Sequence, residues 1–249
     1  MSSKTGILTA VHLANISSTL AATGKYALGT LYVQLHPRYK DTARSTAFGK
    51  LIASLYQDSP TVLAPGVDLR FLVSSLKTGD FVPLKRKVDY LFFDYPIASH
   101  ADSRANPIRF CSDSEVIELG TQPFVVDGTG LTDSPSTFRN VVLGGTFDRL
   151  HAGHKVLLTQ AVLLAEERLV VGVTDENMIK SKRLWELILP VEQRIAEVRN
   201  FLEEIDSTVR YEVVPIGDPF GPTATDPNMD ASINDSGSIV QLITNICYS

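Results

Sequence analysis

Residues 140–154 read Asn140-Val141-Val142-Leu143-Gly144-Gly145-Thr146-Phe147-Asp148-Arg149-Leu150-His151-Ala152-Gly153-His154. Asn140–Leu143 is a short apolar run of the kind a buried strand shows. His154–Glu167 carries Val156, Leu157, Ala161, Leu164 and Ala165 and reads as a helix. The segment Gly144–His154 therefore leaves the carboxyl end of a strand and enters a helix. Two glycines let the backbone come close to a bulky anion. The helix start offers unpaired N–H groups and the positive end of a dipole. His151 and His154 share one face if the turn is already helical. Imidazoles donate to phosphate oxygens, and a protonated one adds charge; Thr146 adds a hydroxyl. Such a loop stabilises charge that builds on a displaced phosphate without any covalent nucleophile. The competing reading, two histidines that only cap the helix, suits a lone histidine better than a pair set among two glycines and a threonine. His12, His36 and His100 lie outside the loop and are assigned no role.

Downstream, Arg168–Val173 (RLVVGV) reads as a second buried strand, which completes a parallel strand–helix–strand unit. A second helix is predicted over Pro190–Glu204. Pro190 suits its first turn, and Val191, Ile195, Val198, Leu202 and Ile205 lie on one face. Val209–Val214 is the third strand. The order β-α-β-α-β predicts an α/β fold, a doubly wound parallel sheet of Rossmann-like type, with ligands bound beyond the carboxyl ends of the strands. Upstream, residues 1–126 are expected to form a smaller α/β region with no chemical motif. Its strands are predicted at Thr30–Leu35, Asp68–Val73 and Asp89–Phe93, and a short helix at Ala47–Tyr56. Asp127–Ser136 is rich in Gly, Asp, Ser, Thr and Pro, and residues 127–137 are read as a linker.

Composition narrows the function. The chain has 249 residues, a formal net charge of -5 and a pI of about 5.5. No basic stripe is present, so nucleic acid is not an expected partner. The two cysteines, Cys111 and Cys247, have no metal-ligand spacing; no zinc site is expected, and a reducing compartment is. No apolar run is long enough for a membrane-spanning helix. The first 40 residues hold Lys4, Lys25, Arg38 and Lys40 and no acid, against 19 cations and 28 acids in the remainder. An acid-poor, hydroxyl-rich start resembles a mitochondrial address but lacks its arginines; a plain strand and helix fit the same residues.

The loop resembles the (H/T)xGH signature of the nucleotidyltransferase superfamily, in the GGTFDxxHxGH form shared by cytidylyltransferases and phosphopantetheine adenylyltransferases. Val171-Gly172-Val173-Thr174-Asp175, Lys180-Ser181-Lys182, Glu186-Leu187-Ile188 and Asp218-Pro219-Phe220-Gly221-Pro222-Thr223 are similar to the adenylyltransferase domain of eukaryotic bifunctional coenzyme A synthases. Thr30-Leu31-Tyr32-Val33 and Asp68-Leu69-Arg70 are similar to the N-terminal region of that family. The strong match covers residues 138–230. The resemblance implies adenylyl transfer from ATP, with Mg²⁺, to 4′-phosphopantetheine, which gives dephospho-CoA and pyrophosphate. It implies that Thr146, His151 and His154 contact the ATP phosphates, with His154 stabilising the transition state. It implies that Gly144, Gly145 and Phe147 complete the ATP-binding loop. Lys180, with Lys182 as the alternative, would hold the phosphate of phosphopantetheine beside Thr146. Asp148 is expected to hold the loop's shape, Trp185 to pack, and the Asp218–Thr223 turn to rim the pocket. The resemblance also implies a cytoplasmic location with association at the mitochondrial surface.

After Asp230 the family pattern stops. Its later strands, arginine-bearing segment and ISSS-type motif are not found, so residues 138–230 are read as an incomplete nucleotidyltransferase domain and 231–249 as a divergent tail. An unpaired sheet edge is expected there. No GxxxxGK[ST] occurs, so dephospho-CoA kinase activity is not expected. Two alternatives stand beside the adenylyltransferase: a cytidylyltransferase, against which the VGVTD…KSK and DPFGPT segments argue, and a non-catalytic binding fragment.

Overall fold

The structure, a computed structural model, describes residues 4–95 apart from 11, 27, 37–38, 80–83 and 85, then 114–119, 137–218, 221, 226–233 and 239–241. The linker at 127–136, Cys111, Cys247, His100 and most of the Asp218–Thr223 turn lie outside the described residues. The chain divides into two units, residues 1–134 and 135–249.

In the first unit, strands β1 (Lys4–Ala10), β2 (Leu28–Leu35), β3 (Asp68–Leu72), β4 (Tyr90–Phe93) and β5 (Glu115–Glu118) form one parallel sheet in the order β3-β2-β1-β4-β5. Helices α1 (Ile16–Ala22), α2 (Thr46–Val62) and α3 (Ser74–Thr78) connect them. Ile7, Leu8, Leu31, Val33, Leu91 and Phe92 are fully buried, which is why these strands read as continuous apolar runs. The region expected to be the smaller of the two is a unit of 134 residues, with a five-stranded sheet among its described residues. Its acid-poor start folds as β1, the middle strand, followed by α1. The helix predicted at Ala47–Tyr56 runs further, capped at its start by Ser45, whose hydroxyl accepts from the Phe48 N–H at 3.2 Å. His12 lies beyond β1, its N–H donating to Asp94 Oδ2 at 2.9 Å.

In the second unit, β6 (Phe138–Gly145) leads through α4 (Ala152–Leu164) to β7 (Ala165–Thr174). The chain continues through α5 (Glu176–Ile179) and α6 (Val191–Ile205) to β8 (Arg210–Ile216), then β9 (Ala231–Ile233) and β10 (Ile239–Gln241). The order is β10-β9-β6-β7-β8; only the β9–β10 pair is antiparallel. The chain builds outward from β6 to β8 and then crosses to the other side of β6. In sheets of this kind ligands bind at such a reversal, beyond the carboxyl ends of the strands. Helix α4 starts earlier than predicted, and it ends earlier because Ala165 already pairs with Phe138 at the start of β7.

The missing strands were expected to leave an unpaired sheet edge after Asp230; in the structure the residues just past Asp230 pair along β6. Val141, Val142 and Leu143 pair with Ala231, Ser232 and Ile233. Asp230 secures the start of this pairing: its Oδ2 accepts from the Asn140 N–H at 2.8 Å, and its N–H donates to the Asn140 carbonyl at 3.0 Å. Ala231 and Ile233 are buried, so residues read as a divergent tail supply core to the sheet.

Candidate active site

The loop emerges from β6 where Gly144 pairs with Gly172 and Gly145 with Val173. Neither glycine has a positive φ; the left-handed residues are Phe147 (φ 50°) and Arg149 (φ 47°). Non-glycine residues hold that conformation only where their surroundings compel it. Phe147 is compelled by burial. Its ring is fully buried and lies 5.2 Å, centroid to centroid, from the His154 ring. A Cβ on Gly145 would stand 3.0 Å from Phe147 Cε2, so this glycine makes room for the phenylalanine. Phe147, expected among the ATP-binding residues, thus offers no exposed side chain; it packs the loop from below.

Arg149 and Asp148 clip the loop to the segment before α6. Asp148 Oδ1 accepts from the Leu189 N–H at 3.0 Å, and its Oδ2 accepts from Arg149 at 2.5 Å. Arg149 also donates to the Leu187 carbonyl at 3.0 Å. Asp148 shapes the loop, as its place in the sequence suggested.

His151 precedes α4 in extended conformation (φ -98°, ψ 177°) and makes no side-chain cap bond. Its ring stacks on that of His154, with centroids 3.8 Å apart and planes 25° from parallel. Gly153 permits the stack, because a Cβ there would stand 3.2 Å from His151 Cε1. The two imidazoles form one unit at the helix start, where backbone N–H groups and the dipole favour an anion.

Thr146, half-buried, is the junction of the site. Its Oγ1 accepts from Lys182 Nζ at 2.5 Å and from the Thr174 hydroxyl at 3.2 Å. Lys180 instead faces Glu176 at 3.9 Å, one turn away, with both side chains exposed. Of the two lysines weighed in the sequence, Lys182 is therefore the one whose ammonium reaches Thr146. Trp185 is half-buried in a turn flanked by Leu184 and Leu187, whose side chains are exposed. Of the Asp218–Thr223 turn, Asp218 Oδ1 accepts from the Gly221 N–H at 2.8 Å.

One residue was missed in the sequence. Arg194, on α6, is fully buried and donates from three nitrogens to three carbonyls: Nε to Leu189 at 2.7 Å, Nη1 to Thr146 at 2.7 Å and Nη2 to Thr174 at 2.8 Å. Burial lowers its pKa from the usual arginine value, and the carboxylates of Asp148 and Glu192 oppose the shift. The available signal was a cation inside the apolar stripe Val191, Ile195, Val198.

Residues 142–234 match the model of the cytidylyltransferase-like family, so the second unit carries a cytidylyltransferase-like domain with a Rossmann-like nucleotidyltransferase fold. Phosphopantetheine adenylyltransferases are among its homologues. The enzyme of Methanopyrus kandleri is 44% identical over 39% of this chain and 60% of its own length. That of Saccharomyces cerevisiae is 34% identical over 39% of this chain and 32% of its own. An uncharacterized protein of Schizosaccharomyces pombe is 43% identical over 41% of this chain and 33% of its own length. The chain thus spans between a third and three fifths of the curated relatives it matches. A solved structure, a protein of unknown function from Archaeoglobus fulgidus, is 30% identical over 38% of this chain and 67% of its own, with a TM-score of 0.33.

Proposed function

We propose that the second unit transfers the adenylyl group of ATP to 4′-phosphopantetheine, giving dephospho-CoA and pyrophosphate in coenzyme A biosynthesis. The observation that carries this reading is the stacked pair His151–His154 at the start of α4, beside the Lys182–Thr146 contact. An oxygen of the acceptor phosphate attacks the α-phosphorus of ATP, the bond from that phosphorus to the bridging oxygen breaks, and pyrophosphate leaves with the electron pair. Magnesium enters with the nucleotide, as part of the substrate. His151 and His154 donate to the phosphate oxygens on which charge grows, and the α4 N-terminus adds its dipole. Lys182 and the Thr146 hydroxyl hold the acceptor phosphate in line for attack, which is mainly an orientational contribution. Lys180 serves in the wider positive field and not as a direct ligand.

The finer reading is a member of the eukaryotic bifunctional coenzyme A synthases. The two N-terminal motifs that carry it are neighbours in the first sheet: Thr30 pairs with Asp68, Leu31 with Leu69 and Tyr32 with Arg70. With it go a cytoplasmic location and association at the mitochondrial surface, for which cell fractionation is the test. The cytidylyltransferase alternative makes a different product. Mass analysis after incubation with 4′-phosphopantetheine, Mg²⁺ and an equimolar mixture of ATP and CTP decides between them. Dephospho-CoA alone supports the proposal; the cytidylyl product overturns it.

A further inference from the structure

We propose that Arg194 is a positioning residue of the transfer reaction, one that fixes the main chain of the phosphate loop and places a buried positive charge beneath the anion site. The inference rests on the nucleotidyl-transfer reading and adds a residue to it. A fully buried cation is costly unless its donors are satisfied. Arg194 satisfies its donors on carbonyls alone: among the described residues it makes no ion pair. The three carbonyls come from three segments, the loop at Thr146, the end of β7 at Thr174 and the turn before α6 at Leu189. A rigid planar fork can reach three such acceptors at once; a point ammonium cannot.

What it holds matters for the chemistry. Thr146 accepts from Arg194 on its carbonyl and from Lys182 on its hydroxyl. Thr174 accepts from Arg194 on its carbonyl and donates its hydroxyl to Thr146. A shift of the Thr146 main chain would therefore carry the hydroxyl, and with it Lys182, out of register with the histidine pair. An aliphatic side chain would continue the stripe of Val191, Ile195 and Val198, so packing alone does not call for an arginine here. The carbonyl dipoles satisfy the donors without cancelling the charge, the Asp148 and Glu192 carboxylates offset it only from a distance that makes no ion pair, and a bound triphosphate would add the facing anion.

The test compares the full chain with Arg194→Lys and Arg194→Met, normalised to folded protein. It measures pyrophosphate release with MgATP and 4′-phosphopantetheine, and amide hydrogen exchange of residues 144–150. Arg194→Lys keeps the charge and loses the fork; its kcat falls about a hundredfold while KM for MgATP stays nearly constant, as misplacement predicts. Arg194→Met loses both, so KM for MgATP rises as well. Loop amides exchange faster in both variants, while those of residues 169–172 in the middle of β7 do not. A lower melting temperature with kcat, KM and loop exchange all unchanged would overturn the proposal and leave Arg194 a packing residue. If the unaltered chain turns nothing over, the proposed function fails, and the exchange measurement, which needs no turnover, still decides whether Arg194 fixes the loop.

Discussion

Lys182 donates to the hydroxyl of Thr146 at 2.5 Å, joining the segment after β7 to the loop after β6, while Lys180 faces outward to Glu176. The two lysines are only two residues apart in sequence but differ in partner. A charged hydrogen bond is worth about 1.5–3 kcal/mol, so Lys182→Ala is expected to raise KM for phosphopantetheine roughly 10- to 100-fold. An exposed pair contributes about 0–1 kcal/mol, so Lys180→Ala is expected to change KM and stability little. Steady-state kinetics on both variants checks the assignment; the reverse ranking would contradict it.

Gly153 sits in the first turn of α4 with the His151 ring against its open face. Alanine there relieves a helix of a glycine, a gain of about 0.5–1 kcal/mol. The same methyl pushes the exposed His151 ring out of its stack on His154. Gly153→Ala is therefore expected to melt slightly higher and to turn over more slowly. Calorimetry with a kcat measurement reads both signs; a variant as active as the parent would show that the stack is dispensable.

Phe147 belongs to the core although it lies inside the loop that carries the chemistry. Phe147→Ala is expected to cost about 3–5 kcal/mol, typical of a large-to-small change in a packed interior. A urea titration measures it. Unchanged stability with weakened ATP binding would mean that the ring faces ligand.

Arg168 on β7 bonds to Glu212 on β8 and to Asp226, both at 2.5 Å. The arginine holds both carboxyls below their ordinary values of 4.5 and 3.8. Their folded pKa values are depressed, so the stability they add is present above those ordinary values and is lost as pH falls through the folded ones. The melting temperature of the parent chain should exceed that of Arg168→Gln by a constant margin above about pH 5, and the margin should close below about pH 4. A margin independent of pH would show that the ion pairs contribute nothing.

Much of the second unit was legible because its signals are local. The apolar runs Asn140–Leu143 and Arg168–Val173, the stripe on α6, and the glycine-rich turn between strand and helix each follow from a short window, and they were enough to place His151 and His154. What was not legible depends on contacts distant in sequence. Phe147 reads as a loop residue until the sheet closes over it. The choice between Lys180 and Lys182 turns on a two-residue difference in where a short helix ends. Ala231–Ile233 is too short and too plain to announce a strand; β6 makes it one by offering an open edge. Arg194 was visible as a cation on an apolar stripe, but its partners lie up to 48 residues away. In the first unit, β1 was one of two readings of a composition that also suits a targeting segment, and its parallel pairing with β2 and β4 gives it strand character.

The central claim is that the stacked histidines stabilise pyrophosphate departure from ATP. Pyrophosphate release by the full chain, with MgATP and 4′-phosphopantetheine beside a His154→Ala control, tests it most directly. The account predicts release that requires phosphopantetheine and a kcat lower by about a hundredfold to a thousandfold in the control, the usual loss for one transition-state donor. Release that is equal in the control, or absent from the well-folded parent chain, would contradict it.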